Sequence, residues 1–92
     1  MEGFDDEEWA EMQEMYISHT SKELEKIKTQ LNLDSIDSIC TFGHNIKGSG
    51  GMYGFNEVTE LGLLIENAAK EGNLDSIKSN LEVLEGFLQS KI

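Results

Sequence analysis

Apolar residues recur at steps of three and four along almost the whole chain, which is the spacing of amphipathic helices. The first series of this kind contains Trp9, Met12, Tyr16, Thr20, Leu24, Ile27 and Leu31. Proline, which would interrupt such a series, is absent from the 92 residues. The sequence therefore predicts an all-α fold.

Short turns separate four helical segments, so neighbouring helices should be antiparallel. We predict an up-down four-helix bundle in a single domain spanning residues 1–92, with helices at residues 5–31, 35–53, 57–71 and 75–90. Within the first segment, Thr20-Ser-Lys-Glu23 resembles a capping box. This motif predicts that the segment can break near residue 19, which would give an additional short N-terminal helix.

Cap and turn residues mark the predicted helix ends. Asp34 or Ser35 can cap the second helix, and Asn56 can cap the third. Gly54 and Gly72 are placed to end those two helices, because glycine readily adopts the left-handed backbone of a C-terminal cap. The faces expected to be buried carry Ile36, Ile39, Gly43, Ile46, Gly50 and Tyr53 in the second helix, Leu61, Leu64, Ile65 and Ala68 in the third, and Ile77, Leu81, Leu84 and Leu88 in the fourth.

The chain carries 18 acidic and 7 basic residues, a formal net charge of −11. Phosphate backbones and anionic lipids would repel it, so we expect neither a nucleic-acid partner nor a membrane partner. No apolar run approaches the roughly 20 residues of a membrane span, and no leader peptide is expected. The lone Cys40 cannot form an internal disulfide and is expected in the core, which indicates a reducing cytoplasm. We expect a monomer.

Five of the nine glycines are clustered in the second predicted helix and the turn after it, although a glycine within a helix costs about 1 kcal/mol relative to alanine. Gly43 and Gly50 fall on the predicted buried face, where a missing side chain lets two helices approach closely. Gly48 and Gly51 follow His44 by four and seven residues and share its outward face. Small residues on an exposed face leave room for a large partner to reach the imidazole.

The same stretch is almost free of charge. No carboxylate occurs from Ser38 to Asn56, although 18 of the 92 residues are acidic, and Lys47 is the only charged side chain there. Lys47 lies one helical turn from His44, where its ammonium group can balance negative charge added to the imidazole. A nucleophilic ring with a nearby cation and an open approach indicates phosphoryl transfer through histidine, chemistry in which positioning and charge stabilisation dominate.

The run His44-Asn-Ile-Lys47-Gly48-Ser-Gly-Gly51-Met-Tyr-Gly54-Phe resembles the signature of histidine-containing phosphotransfer (HPt) domains. It is particularly similar to the phosphotransfer domain at the front of chemotaxis histidine kinases. The resemblance implies a phosphocarrier of a two-component phosphorelay. Such a protein would accept a phosphoryl group on His44 and exchange it with the aspartate of a response-regulator receiver domain, with a histidine kinase as a second partner.

The resemblance also implies roles for residues at matching positions. Lys47 would steady the phosphoryl group, and Glu66 would hydrogen-bond the histidine ring, as a glutamate does in the chemotaxis-kinase type. The implied docking surface for the receiver comprises Gly48, Gly51, Thr41 and Asn45. Taken alone, Glu66 also fits a solvated helix charge, and His19 has none of these features and is expected to be an ordinary surface residue.

The implied phosphocarrier would have no ATP-binding site of its own and no bound cofactor. We expect the kinase or the receiver to supply Mg²⁺, because no cluster of acids surrounds His44 in the sequence. The sequence fits both a stand-alone protein and the front domain of a larger kinase.

Two other functions remain open at this point. Leu33-Asp34-Ser35-Ile36 resembles the Asp-Ser-Leu motif of acyl carrier proteins, small acidic four-helix bundles that carry phosphopantetheine on the serine. The carboxylate-free helix that follows is unlike the acidic recognition helix of those carriers. The second alternative is a helical interaction bundle without phosphate chemistry, although a degenerate copy would have no reason to keep His44, Lys47 and Gly48 together.

Overall fold

The computed structural model describes residues 5–92, so residues 1–4 of the predicted domain lie outside the described part. Within residues 5–92 there are four α-helices and no β-strand: α1 (Asp6–Thr29), α2 (Ile36–Ser49), α3 (Asn56–Lys70) and α4 (Leu74–Gln89). Two 3-10 turns flank α2, at Leu33–Ser35 and at Gly51–Tyr53. The prediction of an all-α helical bundle is confirmed.

The helix α1 runs without interruption through residue 19, so the predicted break is not present. Thr20, which was expected to start a capping box, lies inside the helix with only 2% of its surface exposed. The helix begins at Asp6 and is capped by Asp5, whose side chain accepts a hydrogen bond of 2.7 Å from the backbone N–H of Glu8. No described helix is both long and apolar enough to cross a membrane.

All four helices contribute to the core, and the largest fully buried side chains are Leu24, Ile39, Val58, Ile65, Ile77, Leu81, Leu84 and Leu88. The four residues predicted to be buried in α4 all belong to this set. In α3 the prediction for Leu64 is wrong, because this residue is 49% exposed. The buried side of α3 includes Gly62 and Glu66, which face α2, and this rotation of the helix turns Leu64 toward solvent.

The predicted caps are borne out only in part. Ser35 occupies the cap position before α2 but makes no side-chain hydrogen bond to that helix. Its hydroxyl belongs instead to the capping box of the preceding 3-10 turn, in which Asn32 accepts from the backbone N–H of Asp34 and of Ser35. Asn56 is the first residue inside α3 and does not cap it. The two glycine stops have the expected left-handed backbone, with φ of 86° at Gly54 and 67° at Gly72.

Glycines allow α2 and α3 to touch along their backbones. A Cβ atom built at Gly43 would lie 2.7 Å from the backbone N of Glu66, and one at Gly50 would lie 2.7 Å from the backbone N of Thr59. The packing role predicted for these two glycines is confirmed. The third member of this crossing, Gly62, was not singled out in the sequence, yet a Cβ atom there would lie only 2.5 Å from the backbone N of Lys47.

Candidate functional site

The close crossing of α2 and α3 brings three ionisable side chains together. Glu66 follows Gly62 by one turn of α3, and its backbone packs directly over Gly43 of α2. From this position its carboxylate reaches two side chains of the facing helix: His44 Nδ1 lies 2.9 Å from Oε2, and Lys47 Nζ lies 2.6 Å from Oε1. The structure thus joins the three residues that the sequence assigned to the chemistry.

Glu66 is a buried charge, with a side chain that is 7% exposed. The hydrogen bond from Lys47 is the main cause of a lowered pKa for this carboxyl group; the hydrogen bond to His44 and the charge of Lys70 act in the same direction, and burial acts against them. Glu66 is therefore ionised at neutral pH. The interpretation of Glu66 as a solvated helix charge is wrong, because the backbone crossing at Gly43 draws it into the helix interface.

The contact with Glu66 fixes the protonation pattern of the imidazole. An ionised carboxylate only accepts hydrogen bonds, so His44 donates to it from Nδ1–H. A neutral ring with its proton on Nδ1 keeps a free lone pair on Nε2. Since the side chain of His44 is 66% exposed, this geometry provides a nucleophile that a partner protein can reach.

The surface around His44 is open on the side predicted for docking. A Cβ atom at Gly48 would meet nothing within 4 Å, and Thr41 and Asn45 are exposed beside it. Thr41 and Asn45 also line a shallow groove of about 590 Å³ between α1 and α2. Gly51 is exposed too, but it lies in the 3-10 turn after α2, where its backbone N–H donates to Thr59 Oγ1 at 2.8 Å. The predicted second helix therefore ends earlier than residue 53.

One charged residue near the site was missed in the sequence. Lys70 lies one turn beyond Glu66 on α3, and its Nζ is 3.9 Å from Glu66 Oε2. A signal for it existed, because glutamate followed by lysine four residues later is a stabilising helical pair. The described residues contain no cluster of three or more His, Cys, Asp or Glu side chains that could hold a metal ion.

The remaining candidates have contacts outside the cluster of His44, Lys47 and Glu66, although His19 lines the same groove as Thr41 and Asn45. His19 is 75% exposed and pairs with Glu23 on the same helix at 3.9 Å. Cys40 is partly buried against the core. The Ser35 hydroxyl would be the attachment point in the acyl-carrier alternative. It lies within hydrogen-bond distance of the carbonyl oxygens of Gln30 and Asn32. These contacts explain Ser35 as part of the turn before α2.

The lowered pKa of Glu66 should make stability depend on pH. A carboxyl group whose pKa falls on folding stabilises the protein above its ordinary value of 4.5, and this contribution disappears as pH falls through the folded-state value. Glu66→Gln should therefore lower the free energy of unfolding at pH 7, and the difference from wild type should shrink at about pH 3.5, below the ordinary glutamate pKa. Urea unfolding at the two pH values measures this.

The matched control is Glu60→Gln, which removes an exposed carboxylate from the same helix. It should leave the unfolding free energy nearly unchanged at both pH values. A deficit of Glu66→Gln that is equal at pH 7 and at low pH would contradict the assigned ion pairs.

Comparison with protein families gives a match that covers most of the chain. The family model described as Hpt domain matches residues 11–90, a range that contains all of the site residues described above. No match was found among curated proteins or among solved structures.

Proposed function

Because this chain belongs to the Hpt domain family, it has a histidine phosphotransfer role in a phosphorelay, and we propose that His44 is the residue that carries the phosphoryl group. The observation that carries this assignment is the 2.9 Å contact between His44 Nδ1 and Glu66 Oε2. It leaves the outer nitrogen of an exposed ring free to react, which is what phosphoryl acceptance requires.

In the proposed reaction the lone pair of His44 Nε2 attacks the phosphorus atom. An N–P bond forms while the bond to the leaving group breaks, releasing ADP when ATP on a kinase is the donor, or the aspartate carboxylate when a phosphorylated receiver is the donor. The ring becomes positively charged because Nδ1 keeps its proton, and Glu66 stabilises that charge at 2.9 Å. In the reverse direction, a receiver aspartate attacks phosphorus and the electron pair of the N–P bond returns to Nε2.

Lys47 is proposed to stabilise the phosphoryl group. It lies three residues from His44 on α2, and its side chain is 34% exposed. The arriving group brings nearly two negative charges. A cation one helical turn from His44 stabilises the negative charge that builds up on the phosphoryl oxygens.

We propose that a response-regulator receiver docks on the exposed residues Thr41, Asn45, Gly48 and Gly51. Because residue 48 is glycine, no side chain fills the space beside His44, and even a Cβ atom there would have no neighbour within 4 Å. The absence of carboxylates from residues 38 to 56 avoids repulsion of the incoming phosphoryl group in a chain of charge −11. We expect the partner to bring the Mg²⁺, and the chain to act as a monomer in the cytoplasm.

Phosphorylation by two different donors tests the proposal. The protein is incubated with a phosphorylated receiver domain or with a histidine kinase and ATP, and the label is mapped by mass spectrometry under alkaline conditions. We expect an N-linked phosphoryl group on His44 that is lost in acid and stable in base. A label on a serine, or no label from a panel of kinases and receivers, would contradict the proposal and favour the interaction-bundle alternative.

A further inference from the structure

Two lysines are placed to neutralise Glu66, and they use different oxygens. Lys47 Nζ lies 2.6 Å from Oε1, whereas Lys70 Nζ lies 3.9 Å from Oε2, the oxygen that also accepts from His44. The side chain of Lys70 is 63% exposed, against 34% for Lys47. Lys70 is therefore close enough to pair with Glu66 and free enough to move nearer.

The proposed function places conflicting demands on Lys47. Its ammonium group is bound to Glu66 in the unphosphorylated protein, but a phosphoryl group on His44 would attract it with nearly two negative charges. If Lys47 moves to the phosphoryl oxygens, Glu66 loses the stronger of its two cationic partners. A carboxylate that is 7% exposed is costly to keep ionised without a partner, and it tends to take up a proton.

Protonation of Glu66 would damage the chemistry at its neighbour. A neutral carboxyl group is a much weaker acceptor for His44 Nδ1–H and does not stabilise the positive charge of a phosphorylated ring. The ring itself becomes a cation only once the N–P bond has formed, so a second cation is needed beside Glu66 while Lys47 turns to the arriving phosphoryl group.

We propose that Lys70 takes the place of Lys47 on Glu66 when His44 is phosphorylated, which releases Lys47 to the phosphoryl group and keeps Glu66 charged. This inference rests on the proposed function. Lys70 is a positioning residue in this scheme, because it acts through Glu66 and does not touch the phosphoryl group. The charges support the exchange: with His44 phosphorylated, the two lysines and the positive ring balance Glu66 and the nearly two negative charges of the phosphoryl group, whereas without Lys70 about one negative charge is left over.

The experiment compares initial rates of His44 labelling across a pH range. The variants are Lys70→Met, Lys70→Arg and, as a matched control, Lys78→Met, which removes an exposed lysine from α4. Lys70→Met should slow labelling roughly two- to five-fold, the effect expected of one exposed ion pair. The defect should grow as pH falls, because protonation of Glu66 becomes easier, while Lys70→Arg restores the rate and Lys78→Met leaves it unchanged.

A double-mutant comparison separates this role from a general surface effect. In a Glu66→Gln background, Lys70→Met should cause no further slowing of labelling, because the carboxylate with which Lys70 pairs is already absent. A Lys70→Met protein that is labelled at the wild-type rate at every pH would overturn the inference. It would also be overturned if Lys70→Met slowed labelling as much in the Glu66→Gln background as in wild type, a result that would place Lys70 at the partner surface. If the wild-type protein is labelled in the same assay, these outcomes contradict only this inference. If the wild-type protein is not labelled, the proposed function and this inference are both contradicted.

Discussion

Replacing His44 with glutamine should abolish phosphoryl transfer while leaving the fold intact. Glutamine retains hydrogen-bonding capacity toward Glu66 but has no nitrogen lone pair that can attack phosphorus. Loss of a nucleophile typically removes three or more orders of magnitude in rate, so labelling should fall by more than about a thousand-fold. Because the side chain is 66% exposed, the free energy of unfolding should change by less than about 1 kcal/mol.

His19→Gln is the matched control for this experiment, since it removes the other histidine of the chain, which lies on the exposed surface of α1. It should be labelled at the wild-type rate from both donors. Equal labelling of wild type and His44→Gln would remove His44 as the carrier. Loss of label in the His19 variant would show that the surface of α1 takes part in partner binding.

Much of the site was predictable because its signals are local. His44 and Lys47 lie three residues apart on one helix, so their proximity follows from helical geometry alone. The missing side chain at Gly48 and the carboxylate-free stretch around it are equally visible in the chain. The buried face of α4 was also predictable, since an amphipathic helix with a single apolar side has one way to face a core.

The remaining features depend on contacts between helices, which local spacing does not determine. The depth at which Glu66 is buried follows from the distance between α2 and α3, and that distance is set jointly by Gly43 and Gly62. The same crossing rotates α3 and exposes Leu64. Thr20 illustrates the opposite error: its local sequence resembles a helix start, but burial in the bundle keeps α1 continuous.

Adding a single methyl group at Gly62 should be strongly destabilising. The Cβ atom of Gly62→Ala would lie 2.5 Å from the backbone N of Lys47 and 2.7 Å from the backbone O of Gly43. Backbone atoms cannot rotate aside, so α2 and α3 must separate. Overpacking of this kind costs about 1–3 kcal/mol, and the unyielding neighbours place this case at the upper end, even though alanine is the better helix former by about 1 kcal/mol.

The matched variant is Gly48→Ala, which adds the same methyl group to α2 in open space. It should gain up to about 1 kcal/mol from helix propensity, so urea unfolding should move the two alanine variants in opposite directions. Gly62→Ala should also slow phosphoryl transfer in whatever fraction remains folded, because separating the helices carries Glu66 away from His44 Nδ1. A Gly62→Ala protein as stable as wild type, with transfer unchanged, would show that the contact of the two helices does not set the geometry of the site.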